Sequence, residues 1–303
     1  MRRHVKRPAT RHLAADSMPL VVAGVVNWNG RQLLLECLES LCRINYPTGR
    51  LRVIVIDNGS DDGSSEAVQR SHPEVDVVRN RDNQGYVRAV NQVVARGIAL
   101  GARYIWVLNN DVVADPDSLS RMVEVAEADD HIGIISPVVY PHDEPTSATN
   151  VGYEINHWTG QMRRLVDGQD VFTAQDETVA EVDSSIGCSN LIRTRVFEEI
   201  GLFRPIYEIY FEETDFAVRA QRAGYSVVVV RQARAVHRNA ATMNRHLLRR
   251  AWLLARNLFL FQCLNASPRH LAVFVPYYFG VHLPYFLLRG SWHGLSLKLG
   301  GFR

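Results

Sequence analysis

Residues 210–219, YFEETDFAVR, set three carboxylates, Glu212, Glu213 and Asp215, within four positions between an aromatic stretch and a helix-like run. Acids favour the first turn of a helix, where they offset the positive end of its macrodipole, and Asp215 can pair with Arg219 one turn on. The same grouping suits proton transfer, because neighbouring acids raise one another's proton affinity. Both readings are open on these residues alone.

Such acids need a frame that brings partners to them. From residue 20 onward, apolar runs alternate with amphipathic stretches. Strands are expected at 20–26 (LVVAGVV), 51–57, 75–78, 104–111 and 132–140, and helices at 31–44, 86–100 and 116–128. This order predicts an α/β domain, a doubly wound, mostly parallel sheet with helices on both faces. Ligands of such sheets sit off the carboxyl ends of the strands. Three of those ends are polar: Asn27-Trp28-Asn29-Gly30, Asp57-Asn58-Gly59-Ser60 and Asn109-Asn110-Asp111. No GxGxxG or GxxxxGK[ST] follows them, so neither a dinucleotide fold nor a P-loop is supported. A calcium loop starting at Asn58 fails too, because its twelfth position is Gln69 rather than Glu. Asp57 would repel a diphosphate but suits the donor groups of a base or ribose. Asn, Asp, Ser and Gly also build ordinary strand-to-helix turns, so turn and ligand contact stand side by side here.

After residue 140 a polar, glycine-bearing stretch is expected to form a hairpin over the site with His157 and Trp158 at its tip. The α/β pattern resumes at 187–201, 225–230 and 233–238.

With 303 residues, 47% apolar and 22% charged, the chain is ordinary globular material rather than a disordered one. Four cysteines without CxxC or zinc-ligand spacing read as buried or free thiols in a reducing compartment. The net charge of +2 hides an asymmetry: after Asp215 there is no Asp or Glu, yet twelve arginines and Lys298 follow. Residues 271–288, LAVFVPYYFGVHLPYFLL, are uncharged and aromatic, with Arg269 and Arg289 just outside. Pro276, Gly280 and Pro284 interrupt the run, which favours an interfacial or re-entrant helical hairpin among anionic headgroups over a clean span. The alternative is a buried helix of the globular core. Residues 1–18 have a basic character without an apolar core and are expected to be a flexible arm, not a secretory signal.

The segments VVNWNG (25–30), VIDNGSDDGS (55–64), NQGYVRAVNQ (83–92), LNNDV (108–112), GCSNLIRTRVFEEIGLF (187–203), YFEETDFAVRAQRAGY (210–225) and AVH (235–237) together resemble family 2 of the inverting glycosyltransferases, which adopt the GT-A fold. The similarity covers roughly residues 20–240, and its flavour is that of rhamnosyltransferases and related cell-envelope enzymes. It implies a catalytic domain at 19–240, and the composition beyond it makes 241–303 a basic, aromatic helical region expected to associate with a membrane.

The resemblance also implies roles. Asp57 holds the nucleoside base, and Asn27, Asn29, Asn58, Asn83, Gly85, Asn91, Asn109 and Asn110 join it as donor contacts. Asp111 is the last acid of the DxD-type motif that binds Mg2+ or Mn2+ on the donor diphosphate, with Asn109 in place of the first acid, and His237 lies near the metal. Glu213 takes the place of the family's general base, one methylene longer than the usual Asp. Glu212, Asp215, Gly187, Cys188 and Trp158 fall to the acceptor side or to support. Arg204 stands where relatives often carry Asp. The implied reaction is a single in-line displacement with inversion, from a UDP- or dTDP-sugar to a hydroxyl of a saccharide or polyprenyl-linked saccharide. The work would be done at the cytoplasmic side of the membrane by a peripheral or monotopic protein with no nucleic-acid partner. A polyprenyl-phosphate sugar synthase of the same fold and a non-catalytic nucleotide-sugar-binding protein are the rivals.

Overall fold

The computed structural model describes residues 14, 17–142, 150–166, 172, 178–238 and 247–288. Most of the N-terminal arm and residues 289–303, including Arg289 and Lys298, lie outside the described residues. In chain order the elements are β1 (Val21–Asn27), α1 (Arg31–Cys42), β2 (Leu51–Asp57), α2 (Ser64–Ser71), β3 (Asp76–Arg79), α3 (Tyr86–Ala99), β4 (Tyr104–Asn109), β5 (Val112–Ala114), α4 (Ser118–Ala128) and β6 (Ile132–Pro141). They continue with β7 (Asn150–Ile155), β8 (Met162–Val166), β9 (Val179–Glu181), β10 (Ser189–Arg193), α5 (Thr194–Ile200), α6 (Glu212–Arg222), β11 (Ser226–His237), α7 (Leu247–Asn265) and α8 (Pro268–Tyr277).

The sheet runs β3-β2-β1-β4-β10-β6-β11-β5. Strands β3, β2, β1 and β4 are parallel, as are β6 and β11, and β10 lies antiparallel between β4 and β6. All seven residues of β1 are buried, as a strand covered on both faces requires. Apolar side chains of α1 and α4 fill one face and those of α3, α5 and α6 the other. Hydrophobic burial on two faces therefore fixes the register that brings Asn27, Asp57 and Asn109 to one edge, with Asn27 opposite Asp57 and Val26 opposite Asn109.

Two expectations change. The stretches 225–230 and 233–238 are one strand, β11, whose register slips between Val230 and Arg234. This bulge carries the polar Arg231 and Gln232 without ending the strand. The apolar run near the C-terminus does not double back on itself. Residues 268–288 form a continuous helix that passes through a π turn at Tyr278–His282 and is long and apolar enough to cross a membrane. A wider turn of this kind absorbs the register fault that a helix proline such as Pro284 creates. The hairpin is instead made between α7 and α8, with the Tyr278 hydroxyl donating to the Ala255 carbonyl at 3.1 Å.

α7 is tied into the catalytic domain. Asn257 is fully buried and its amide donates to the carbonyls of Tyr207, Ile209 and Tyr210 at 2.8 to 2.9 Å. Arg256 bonds the Glu208 carboxylate at 2.8 Å.

Candidate active site

The carboxyl ends of β1, β2 and β4 surround a cavity of about 350 Å3. Asn58, Asn83, Gly85, Asn109, Asn110, Asp111, Gly187, Cys188, Glu212, Glu213 and His237 all line it. The expected donor-side and acid residues are thus largely brought together from segments far apart in the chain.

β5 and β11 pair antiparallel, with Val112 opposite His237, which sets Asp111 beside the imidazole. Asp111 Oδ1 lies 3.0 Å from His237 Nε2, and both side chains are largely buried. That nitrogen has no aligned hydrogen-bond partner. Two adjacent ligands of an octahedral hard cation with bonds near 2.1 Å are about 3.0 Å apart, so the separation fits a shared divalent ion. No third His, Cys, Asp or Glu among the described residues joins them within 4.8 Å, so the ion's remaining ligands would be donor oxygens and water.

Asn110 Nδ2 donates to Asn27 Oδ1 at 2.7 Å, and this bridge crosses Gly30, where a Cβ would overlap the Asn110 amide. Asn58 is fixed on both sides of its amide: Asn80 and the Gln84 N–H donate to its oxygen, and it donates to Asn83 Oδ1 at 2.9 Å. Asn29 accepts from the Asp61 N–H at 2.9 Å at the rim. Asp57 is buried, with its carboxylate taken by the Ser60 N–H and the Ser65 hydroxyl, so in this structure it stabilises its own turn.

Of the expected residues, Asn27, Asn29, Asp57, Asn91, Trp158 and Asp215 are not among those that line the cavity. Asn91 exchanges hydrogen bonds with the Phe203 backbone and anchors the segment before Glu212 rather than lining the cavity. Trp158, half exposed, lines a separate cavity of about 530 Å3 between the β7–β8 tip and α8, where it stands edge-on to His270. The hairpin does not close over the donor cavity, because its tip is drawn to the aromatic face of α8. His157 stacks on His270 and Phe261 there.

The acid cluster separates into two functions. Asp215 is fully buried and turned away from the cavity. It accepts from Arg204 at 2.8 Å, Tyr207 at 3.1 Å, Arg219 at 2.9 Å and Asn265 at 2.8 Å. Arg204 therefore has a partner: it is one of two guanidinium groups neutralising that buried charge. Glu212 and Glu213, in contrast, face the cavity, and each has one Oε2 without a partner. Burial pushes both carboxyls up, Glu212 the further because of the adjacent Glu213 charge. Of the two, Glu212 therefore holds a proton the more readily and Glu213 the less. Gly187 lies under this carboxylate: a Cβ there would sit 3.2 Å from Glu213 Cδ.

The backbone that delivers the pair is strained. Glu208, Tyr210 and Phe211 have φ of 64°, 70° and 70°, values that non-glycine residues seldom adopt. The three carbonyls held by Asn257 belong to this kink, so α7 stabilises a conformation that the local sequence alone disfavours.

Further lining residues were not singled out by sequence. The Tyr86 hydroxyl donates to Asn109 Oδ1 at 3.0 Å. Burial and the surrounding Glu212, Glu213 and Asp111 charges keep its phenol protonated. Tyr86 falls inside the quoted NQGYVRAVNQ segment, which is the one signal it offered. Arg249 and Leu253 reach the mouth of the cavity from α7. Burial pushes Cys188 up and leaves it a thiol, a wall of the cavity rather than a nucleophile.

This sheet, with a polar cavity off its parallel strand ends and an Asp–His pair facing two glutamates, defines a glycosyltransferase of the GT-A fold. The family model for glycosyl transferase family 2 matches residues 23–201, and the chain belongs to that family. It is 27% identical over 230 residues to N-acetylglucosaminyl-diphospho-decaprenol L-rhamnosyltransferase of Mycobacterium tuberculosis, covering 68% of this chain and 72% of that protein. It is 24% identical to the low-salt glycan biosynthesis hexosyltransferase Agl10 of Haloferax volcanii, over 65% of this chain and 62% of that one. The fold matches the mannosyltransferase PcManGT from Pyrobaculum calidifontis in complex with GDP-Man and Mn2+, with a TM-score of 0.63, 18% identity, and coverage of 94% of this chain and 76% of that one. It also matches GalNAc-T7 with UDP, GalNAc and Mn2+, with a TM-score of 0.61 and 16% identity; 75% of this chain spans 45% of that chain.

Proposed function

We propose that this glycosyltransferase moves a sugar, with inversion, from a nucleoside-diphosphate donor to a hydroxyl of a lipid-linked saccharide at the inner face of a membrane. The observation that carries the reading is that one cavity holds both the Asp111–His237 pair and the Glu212–Glu213 pair. Asp111 and His237 would hold Mg2+ or Mn2+, which when bound offsets the charge that develops on the leaving diphosphate. The Mn2+ in the two solved relatives supports this choice of ligand class. Asn109, held by Tyr86, and Asn110, held by Asn27, would face the diphosphate and Asn58 the nucleoside, with Asp57 holding the turn that carries Asn58.

On the acceptor side, Glu213 takes the proton of the attacking hydroxyl at its unpartnered Oε2. Its raised proton affinity suits that task, because a base works best with a pKa near the operating pH. Glu212, the carboxyl pushed up further by burial and the adjacent charge, stands beside it and leaves Glu213 the better placed of the two to accept that proton.

The name of the mycobacterial relative supports a lipid-diphosphate-linked saccharide as acceptor and rhamnose as the first-choice sugar, with dTDP and UDP the candidate carriers. The surface supports the same reading. Trp252, Phe279, Leu287 and Leu288 are exposed on the α7–α8 hairpin, and Arg249 and Leu253 join this apolar surface to the cavity mouth. A peripheral or monotopic placement on anionic lipid would bring a lipid-linked acceptor to the glutamates.

The test is a panel of UDP- and dTDP-sugars with polyprenyl-diphospho-N-acetylglucosamine in vesicles, with and without Mn2+, scored by product mass and anomeric configuration. Metal-dependent transfer to the saccharide with inversion is expected. Transfer to polyprenyl phosphate instead would favour the lipid-phosphate synthase, and donor binding without any turnover would favour a binding protein.

A further inference from the structure

α1 leaves the carboxyl end of β1 beside the donor cavity and runs for twelve residues, so its last residue, Cys42, lies about 18 Å away at the other edge of the sheet. There it meets the chain that leaves α2. Cys42 Sγ is 3.6 Å from His72 Nδ1 and 3.6 Å from Glu74 Oε1, and His72 Nδ1 is 3.6 Å from Glu74 Oε1. Three lone-pair atoms from two places in the chain thus form a nearly equilateral triangle. Among the described residues this is the one group of three His, Cys, Asp or Glu side chains whose ligand atoms all lie within 4.8 Å of one another.

The two sulfur edges are within hydrogen-bond range for a thiol, but 3.6 Å is long for nitrogen to oxygen, so thiol hydrogen bonds alone leave the third edge unexplained. A tetrahedral centre accounts for all three edges. With Zn–S near 2.3 Å and Zn–N and Zn–O near 2.1 Å, tetrahedral angles give edges of about 3.6 Å from sulfur and about 3.4 Å between nitrogen and oxygen. The observed triangle agrees to about 0.2 Å. Glu74 is largely exposed and could extend into water at no packing cost, yet its carboxylate is turned inward.

We propose that Cys42, His72 and Glu74 form a Zn2+ site with a water in the fourth position, distinct from the donor cavity. The thiolate and imidazole select zinc over the hard cations suited to the oxygen-rich donor site. Binding releases the Cys42 proton to solvent and ties the end of α1 to the α2–β3 connection. Cysteine spacing in sequence could not reveal this site, because the other two ligands are a histidine and a glutamate about thirty residues on.

Cys37 and Cys188 are buried, whereas Cys42 and Cys263 are exposed, so thiol chemistry reads the site directly. In the full-length chain carrying Cys263→Ser, the rate at which dithionitrobenzoate labels Cys42 is measured with and without Zn2+, and absorption is recorded on titration with Co2+. The expected result is at least about tenfold protection saturating at one Zn2+ per chain, because a metal-held thiolate is not free to attack. Co2+ should give a thiolate charge-transfer band in the near ultraviolet. Both signals should vanish in His72→Ala and persist in Asp111→Asn. Unchanged labelling in excess Zn2+, or protection that survives His72→Ala, would overturn the proposal.

Discussion

Asn265 Nδ2 donates to Asp215 Oδ1 at 2.8 Å, joining the end of α7 to the helix whose first turn carries Glu212 and Glu213. The C-terminal helices therefore reach Glu212 and Glu213 by two routes, this bond at one end of α6 and the Asn257 clasp on the kink before it. The α7–α8 hairpin and the cavity acids thus share a support.

That link predicts the outcome of breaking it. Asp215→Ala leaves Arg219 and Arg204 without their buried counter-charge, and should cost about 3–5 kcal/mol in denaturant unfolding. Asn265→Ala removes one hydrogen bond to a charged group and should cost about 1.5–3 kcal/mol, while lowering kcat by loosening α6. If Asn265→Ala lost stability but kept full kcat, the bond would be structural alone.

Gly187→Ala tests how tightly the base is held. The added methyl meets Glu213 Cδ at 3.2 Å, so the carboxylate must shift by a few tenths of an ångström. Since a displacement of about 1 Å costs on the order of 100-fold, a loss of about tenfold in kcat is expected, with Mn2+-dependent donor binding unchanged. Steady-state kinetics beside thermal shifts with UDP- and dTDP-sugars separate the two.

The glutamate pair sets a pH dependence of stability. Its folded proton affinity is raised, so well below the ordinary glutamate range both states are protonated and the full contribution is present. As pH rises toward the folded value, the unfolded chain releases protons that the folded one retains, and that contribution is lost. Glu212→Gln removes the proton-binding difference at that position. The variant should therefore gain in melting temperature relative to wild type as pH rises, in scans from acidic to mildly alkaline buffer.

The membrane reading predicts that Leu287→Asp/Leu288→Asp weakens binding to anionic vesicles in flotation assays. Each charge placed on the apolar face should cost up to ~3 kcal/mol if that face inserts. Soluble-substrate turnover should be retained. Flotation equal to wild type would count against the α8 surface as the docking face.

Much of this fold was legible in sequence because β1 and β4 are unbroken apolar runs ending in polar turns, and β2 is one but for Arg52, which is what a two-faced sheet demands. α2 was not read, since SSEAVQRS is short and mostly polar and is held by packing of Ala67 and Val68. β11 was read as two strands because a bulge carries Arg231 and Gln232 through its middle. The resemblance brought Asp111, His237 and Glu213 to attention, but it could not divide the acids. Asp215's four partners lie four to fifty residues away, at Tyr207, Arg204, Arg219 and Asn265. The hold of Asn257 on a kink of positive φ was equally invisible, because strain at Tyr210 and Phe211 contradicts what those residue types favour locally.

The central claim is tested most directly by Glu213→Gln assayed for sugar transfer beside Mn2+-dependent donor stabilisation. Transfer should fall by about 100- to 10,000-fold, the usual contribution of a general base, while the donor still raises the melting temperature. Transfer near the wild-type rate by a folded, donor-binding Glu213→Gln protein would contradict it.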